Sequence, residues 1–60
     1  IEKKTAQVLS LHGEIANVMD METYETFDLK IPEELKDKLN EGKLVLYWVI
    51  MNEKVMKQLK

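Results

Sequence analysis

The stretch Leu9-Ser-Leu-His-Gly-Glu-Ile-Ala-Asn-Val-Met-Asp-Met-Glu-Thr-Tyr-Glu-Thr-Phe-Asp28, followed by Ile31-Pro-Glu-Glu-Leu35, decides the fold. It reads as a tight β-meander feeding a capped helix. His12-Gly13-Glu14 is a turn signal between two runs of β-formers. Ile15 to Met21 is expected to form a strand with Ile15, Asn17, Met19 and Met21 on one face and Ala16, Val18 and Asp20 on the other. Glu22-Thr23 makes a short connection. Tyr24 to Ile31 then alternates cleanly, with Phe27, Leu29 and Ile31 inward and Thr26, Asp28 and Lys30 outward.

Upstream, Thr5 to Leu11 is rich in β-formers and supplies the first strand. Downstream, the hydrophobic period changes at Pro32, which stands where a helix takes its first residue, with Glu33 and Glu34 placed to meet the positive end of the dipole. Leu35 and Leu39 are four apart, Glu34 and Lys38 form an i,i+4 pair, and Gly42 closes the helix. Two turns cannot stand alone, so this helix must plug something. Lys43 to Met51 is the strongest strand, with Leu44, Leu46, Trp48 and Ile50 on one face and Val45, Tyr47, Val49 and Met51 on the other. Both faces are apolar, which implies double-sided burial or an exposed sticky face. Asn52-Glu53 turns the chain into a last strand, Lys54 to Leu59. The order β-β-β-α-β-β predicts an all-β fold, a small five-stranded OB-fold barrel with one short helix between strands three and four.

Sixty residues make one domain, and a chain of this size buries only about 60% of the surface its unfolded form exposes. With no cysteine, neither a disulfide nor a thiolate zinc site can staple it. The net charge of −2 and 33% charged residues are ordinary globular chemistry, and all nine basic residues are lysine. Arginine supplies the bidentate fork for guanine edges and phosphates, so its absence argues against strong base-specific readout. No apolar run approaches membrane-spanning length, and Ile1-Glu2-Lys3-Lys4 does not resemble a signal peptide. The chain does not open with methionine, as expected of a processed, trimmed or excised segment.

Candidate chemistry is sparse. Asp20, Glu22, Glu25 and Asp28 form the densest charge cluster, but calcium-loop spacing is absent and they are expected to be solvated turn and strand-face charges. His12 is the only histidine. It cannot build a common zinc site alone, and Ser10 and the threonines have no visible partner for nucleophilic catalysis. It is expected to be a surface turn residue. The only glycines are Gly13 and Gly42, which make no phosphate loop. No enzyme activity, metal or cofactor is therefore expected. Tyr24, Phe27, Tyr47 and Trp48 could stack single-stranded bases on an OB surface or serve the core. Phe27 is assigned to the core, while Tyr47 and Trp48, adjacent in a strand, must point to opposite faces. Met19, Met21, Met51 and Met56 are expected to fill core gaps.

The stretches Lys4-Thr-Ala-Gln-Val-Leu-Ser10, Val18-Met-Asp-Met-Glu-Thr-Tyr-Glu-Thr-Phe27, Ile31-Pro-Glu-Glu-Leu35 and Tyr47-Trp48 resemble the C-terminal domain of archaeal translation initiation factor 5A, kin to eukaryotic factor 5A and bacterial elongation factor P. The resemblance runs nearly end to end, and the Met-Asp-Met-Glu-Thr-Tyr-Glu-Thr block is specific because no generic barrel demands that order of polar residues. It implies an OB-fold and a cytoplasmic role in protein synthesis. Family members have two domains, occupy the ribosomal exit site beside peptidyl-tRNA and relieve stalling of peptide-bond formation. Their hypusine-modified lysine lies in a glycine-rich loop of the N-terminal domain, which this sequence lacks.

The chain is accordingly expected to be residues 1–60 of a single OB domain, the C-terminal half of a two-domain protein. Its partners would be the ribosome, through ribosomal RNA and protein, and tRNA through the full-length factor, with no membrane. The rival readings are a stand-alone OB module binding single-stranded RNA or DNA, and a structural dimerisation domain. The candidate ribosome or nucleic-acid contacts are a rim of Lys3, Lys4, Lys30, Lys54 and Lys57. Leu44 and Leu46 stand where the family usually carries glutamate, as does Val49. With Trp48, Leu44 and Leu46 predict an exposed apolar strip that packs against another domain or a second copy, giving weak self-association. The turn Asn52-Glu53-Lys54 also lacks the family's usual glycine and basic pair, which argues against nucleic-acid contact by the last strand.

Overall fold

In the computed structural model, which describes residues 1–60, five antiparallel strands form one strongly curved sheet. They are β1 (Glu2–His12), β2 (Ile15–Asp20), β3 (Thr26–Lys30), β4 (Leu44–Ile50) and β5 (Glu53–Leu59). Their order across the sheet is β3-β2-β1-β4-β5. β1 is long enough to serve both halves of the sheet. Glu2 to Gln7 pairs with Val49 to Leu44 of β4, while Ala6 to His12 pairs with Asp20 to Ile15 of β2.

Two bulges bend this sheet toward a barrel. On β1, Val8 faces Val18 and Ser10 faces Asn17, leaving Leu9 as the extra residue. Across that bulge the Val8 N–H donates to the Lys43 carbonyl and the Gly42 N–H donates to the Val8 carbonyl, both at 2.8 Å. On β5, Gln58 faces Leu46 and Met56 faces Tyr47, leaving Lys57 extra. A bulge bends its strand and increases its twist, so the end strands β3 and β5 come into contact although no ladder joins them.

Alternation sets the core. Ala6 and Val8, Ala16 and Val18, Leu29, Val45 and Tyr47, and Met56 all point to the concave side and are buried. Ile31, Leu35 and Leu39 close one end of it. Each bulge restores the inward phase, so Leu11 and Leu59 also pack on the core. The facing expected for β2 and β3 is observed, with Phe27 half-buried against Tyr47 at 5.2 Å between ring centroids, edge to face.

The segment between β3 and β4 departs from expectation. It is a single 3-10 turn, Glu33–Leu35, followed by turns, and not a two-turn α-helix. Pro32, at ψ 148°, is extended and occupies the cap position, where it offers no side-chain hydrogen bond to the first turn. Glu34 does not pair with Lys38; Lys36 instead reaches Glu14 at 3.1 Å and Glu33 at 3.5 Å. Leu35 and Leu39 still plug the barrel as the spacing requires. The β4–β5 turn is Met51-Asn52 rather than Asn52-Glu53, with φ of 45° and 73°. Met51 is thus 92% exposed, Met21 is exposed and Met19 half-buried, so Met56 is the methionine that fills the core.

Candidate nucleic-acid interface

The five lysines expected to form a rim are distributed over four places. Lys3, on the convex face of β1, lies opposite Trp48 of β4. On the other side of β4, Val55 of β5 lies opposite Trp48, and Lys57, two residues on and on the same face, reaches the same side chain. The ammonium nitrogens of Lys3 and Lys57 stand 5.1 and 4.9 Å from the Trp48 ring centroid. An ammonium within about 6 Å of an indole is attracted by the ring quadrupole, so both cations are held over Trp48 while their outer sides face water. Neither has a carboxylate within salt-bridge distance; the ion pairs of the chain involve only Lys4 and Lys36.

Lys4 belongs to the other face. It lies opposite Tyr47, is half-buried, and has Glu2 at 3.9 Å. Lys54 lies over Phe27, 4.2 Å from its centroid, at the seam between β5 and β3. Lys30 sits on β3 opposite Ile15, beside the β1–β2 turn. There Glu14 is held below the usual carboxylate range, first by its hydrogen bond from Lys36, then by the charge of Lys36 and that of Lys30. The same pairing raises Lys36.

Leu44, Leu46 and Trp48 do share the convex face of β4, each half-buried, opposite Gln7, Thr5 and Lys3 of β1. The apolar strip and two of the rim lysines are therefore one surface, which the sequence treated as two. The missing signal was the β4–β5 register: alternation puts Lys57 on the face of Val55, and the pairing of Val55 with Trp48 brings it beside the indole.

The carboxylates also separate. Glu22 and Glu25 are exposed, and Asp28 accepts a 3.0 Å hydrogen bond from Asn17 Nδ2. Asp20, expected to be solvated, is only 2% exposed. Its Oδ1 accepts from the N–H groups of Glu22 (2.7 Å) and Thr23 (3.0 Å), and its Oδ2 accepts from the Tyr47 hydroxyl. Burial by itself pushes this carboxyl up. The hydrogen bonds from Tyr47, Thr23 and Glu22, with the charge of Lys4, outweigh it and bring the pKa down to about 2. Burial and the bond to Asp20 push the Tyr47 phenol well above its ordinary range.

Ser10 does have a partner, since its Oγ lies 3.2 Å from Nε2 of His12, one step along the same face of β1. Both are part of the convex surface and no carboxylate orients the imidazole. This is a surface polar contact rather than a nucleophile poised against its base. No three of the His, Asp and Glu side chains converge to hold a metal ion.

The whole chain, residues 1–60, matches the family described as eukaryotic elongation factor 5A hypusine, DNA-binding OB fold. The chain belongs to the 5A family of translation factors. Among curated relatives, the translation initiation factor 5A of Archaeoglobus fulgidus is 55% identical over 47 residues, which is 78% of this chain and 37% of that protein. That of Methanosphaera stadtmanae is 52% identical over 58 residues, 95% of this chain and 44% of the relative. The solved structure of the Methanococcus jannaschii protein titled eukaryotic translation initiation factor 5A superposes with a TM-score of 0.89. It is 30% identical, covering 98% of this chain and 44% of that one. The five-stranded OB architecture is thus that of the family, and the chain spans about two-fifths of the length of these relatives. No helix is long and apolar enough to cross a membrane.

Proposed function

We propose that this chain is the OB domain of a two-domain archaeal factor 5A. It acts without catalysis, holding the factor on the ribosome near peptidyl-tRNA while the lysine of the N-terminal domain promotes peptide-bond formation in the cytoplasm. The observation that carries this reading is the family match over every residue of the chain, joined to coverage of only 37–45% of the curated relatives. The geometry is compatible with it. Its side-chain contacts build the core, the Asp20 network, the cationic face of Trp48 and scattered surface pairs, and the one hydroxyl–imidazole pair, Ser10 with His12, has no orienting carboxylate.

The test is the intact mass of the native protein from its source cells, with ribosome pelleting of that product. A product carrying an upstream domain with a modified lysine, sedimenting with ribosomes, is the expected result. A native product of 7.1 kDa overturns the two-domain reading and promotes a stand-alone nucleic-acid-binding module.

A further inference from the structure

We infer that the convex face of β1, β4 and β5 around Trp48 binds the phosphodiester backbone of single-stranded RNA, with Lys3 and Lys57 as its two phosphate contacts. This deepens the ribosome-binding reading and rests on it. OB-folds ordinarily take nucleic acid on the face of strands 2 and 3, between the loops at its ends. Here that region carries Glu22 and Glu25 at the exposed β2–β3 connection and Asp28 on β3, against the one cation Lys30. A polyanion is repelled there. The opposite half of the sheet offers the complementary charge.

Three features of the Trp48 face single it out from the remaining lysines. Lys3 and Lys57 come from strands on either side of β4, and both lie within about 5 Å of one ring centroid. Neither is paired with a carboxylate, unlike Lys4 and Lys36, and Trp48 gathers two ammonium groups where Phe27 holds only Lys54. The indole places the ammonium groups without cancelling them, so a phosphate meets cations already held in position. Lysine suits this task as a point charge. The neighbouring outward residues of β1, Thr5 and Gln7, add hydroxyl and amide groups but no base-reading fork. Recognition is therefore of the backbone and indifferent to sequence.

Trp48 is the only tryptophan, so its fluorescence reports on this face alone. The 60-residue chain is titrated with ten-nucleotide oligouridylate and oligoadenylate at several salt concentrations, with circular dichroism confirming the fold of each variant. Both oligonucleotides should change Trp48 emission with similar affinity, and log K should fall with log salt at a slope of about −1.4, the value for two phosphates on a single strand. Lys3→Glu with Lys57→Glu should abolish the change, and Lys30→Glu should leave it intact. No emission change in the folded wild type, or equal binding by the Lys3→Glu/Lys57→Glu variant, overturns the inference. So does wild-type self-association, seen by light scattering, that Leu44→Glu/Leu46→Glu removes while RNA binding is absent. Ribosome pelleting of the native factor separates the two levels. If the wild-type factor pellets and its Lys3→Glu/Lys57→Glu variant pellets equally well, this face is wrong and the ribosome reading stands. If the wild type itself fails to pellet, the ribosome reading falls.

Discussion

Tyr47 on β4 donates its hydroxyl hydrogen bond to Asp20, the last residue of β2, across 27 positions of sequence. The same carboxylate accepts two backbone N–H groups from the loop that follows it. One buried acid therefore ties the centre of the sheet to the β2–β3 connection. Replacing Tyr47 by Phe keeps the ring against Phe27 and removes only the donor. Losing one hydrogen bond to a buried carboxylate costs about 1–3 kcal/mol, so urea unfolding of Tyr47→Phe should show a loss in that range. Asp20→Ala should cost more, because it strands the Tyr47 hydroxyl and two loop N–H groups together. A Tyr47→Phe variant as stable as the wild type would show that the hydroxyl is idle.

The same network sets an acid limit on stability. The Asp20 carboxyl has a pKa of about 2 in the folded chain against an ordinary value of 3.8. On acidification the unfolded chain thus takes up this proton before the folded chain does. The stabilisation is whole above about pH 4 and is lost as the pH falls through the folded value near 2. A carboxyl-carbon NMR titration should place the Asp20 midpoint near 2 in the wild type and higher in Tyr47→Phe. A wild-type midpoint near 4 would contradict the hydrogen-bonded geometry.

Most of the strand framework was readable because apolar residues at period two leave few alternatives. Alternation grouped Ala16 with Val18 and Val45 with Tyr47 and turned Leu29 inward, and all five lie on the inner face. The departures have separate physical causes. Leu9 and Lys57 are bulge residues, and a bulge shifts the phase of everything after it without a residue type that announces it. Asp20 beside a turn has the sequence signature of a solvated charge. Only the distant Tyr47, arriving from β4, turns it into a buried acceptor. A 3-10 turn stands where the sequence predicts an α-helix, because Pro32 and two acidic residues suit either start and the packing requires only that Leu35 and Leu39 reach the barrel end. The candidate site depended on the β4–β5 register, which sets Val55 opposite Trp48 and so Lys57 beside it, and which no residue pattern specifies.

The Met51-Asn52 turn carries removable strain. Both residues have positive φ, 45° and 73°, the pattern of a type I′ hairpin that favours Asn-Gly. A side chain such as methionine costs roughly 1–2 kcal/mol in the left-handed region, and at 92% exposure Met51 recovers little of this by packing. Met51→Asn with Asn52→Gly should stabilise the chain by about 1 kcal/mol and raise its melting temperature. An unchanged or lower melting temperature would mean that the hairpin does not hold the left-handed geometry in solution.

The barrel seam offers a last test. β3 and β5 are the two ends of the sheet and share no ladder, so side chains must hold them together. Lys54 of β5 stands 4.2 Å from the ring centroid of Phe27 on β3, and that ring packs edge-on against Tyr47 in the core. Lys54→Met preserves the apolar stem while deleting the charge, and Phe27→Leu preserves bulk while deleting the π face. In a double-mutant cycle by urea unfolding, the two changes should couple by about 0.5–1 kcal/mol. Amide exchange along β3 should quicken in Lys54→Met, because a looser seam frees the edge strand first. Strict additivity with unchanged exchange would mean that the barrel closes through Phe27 and the core alone, with Lys54 merely resting on the outside.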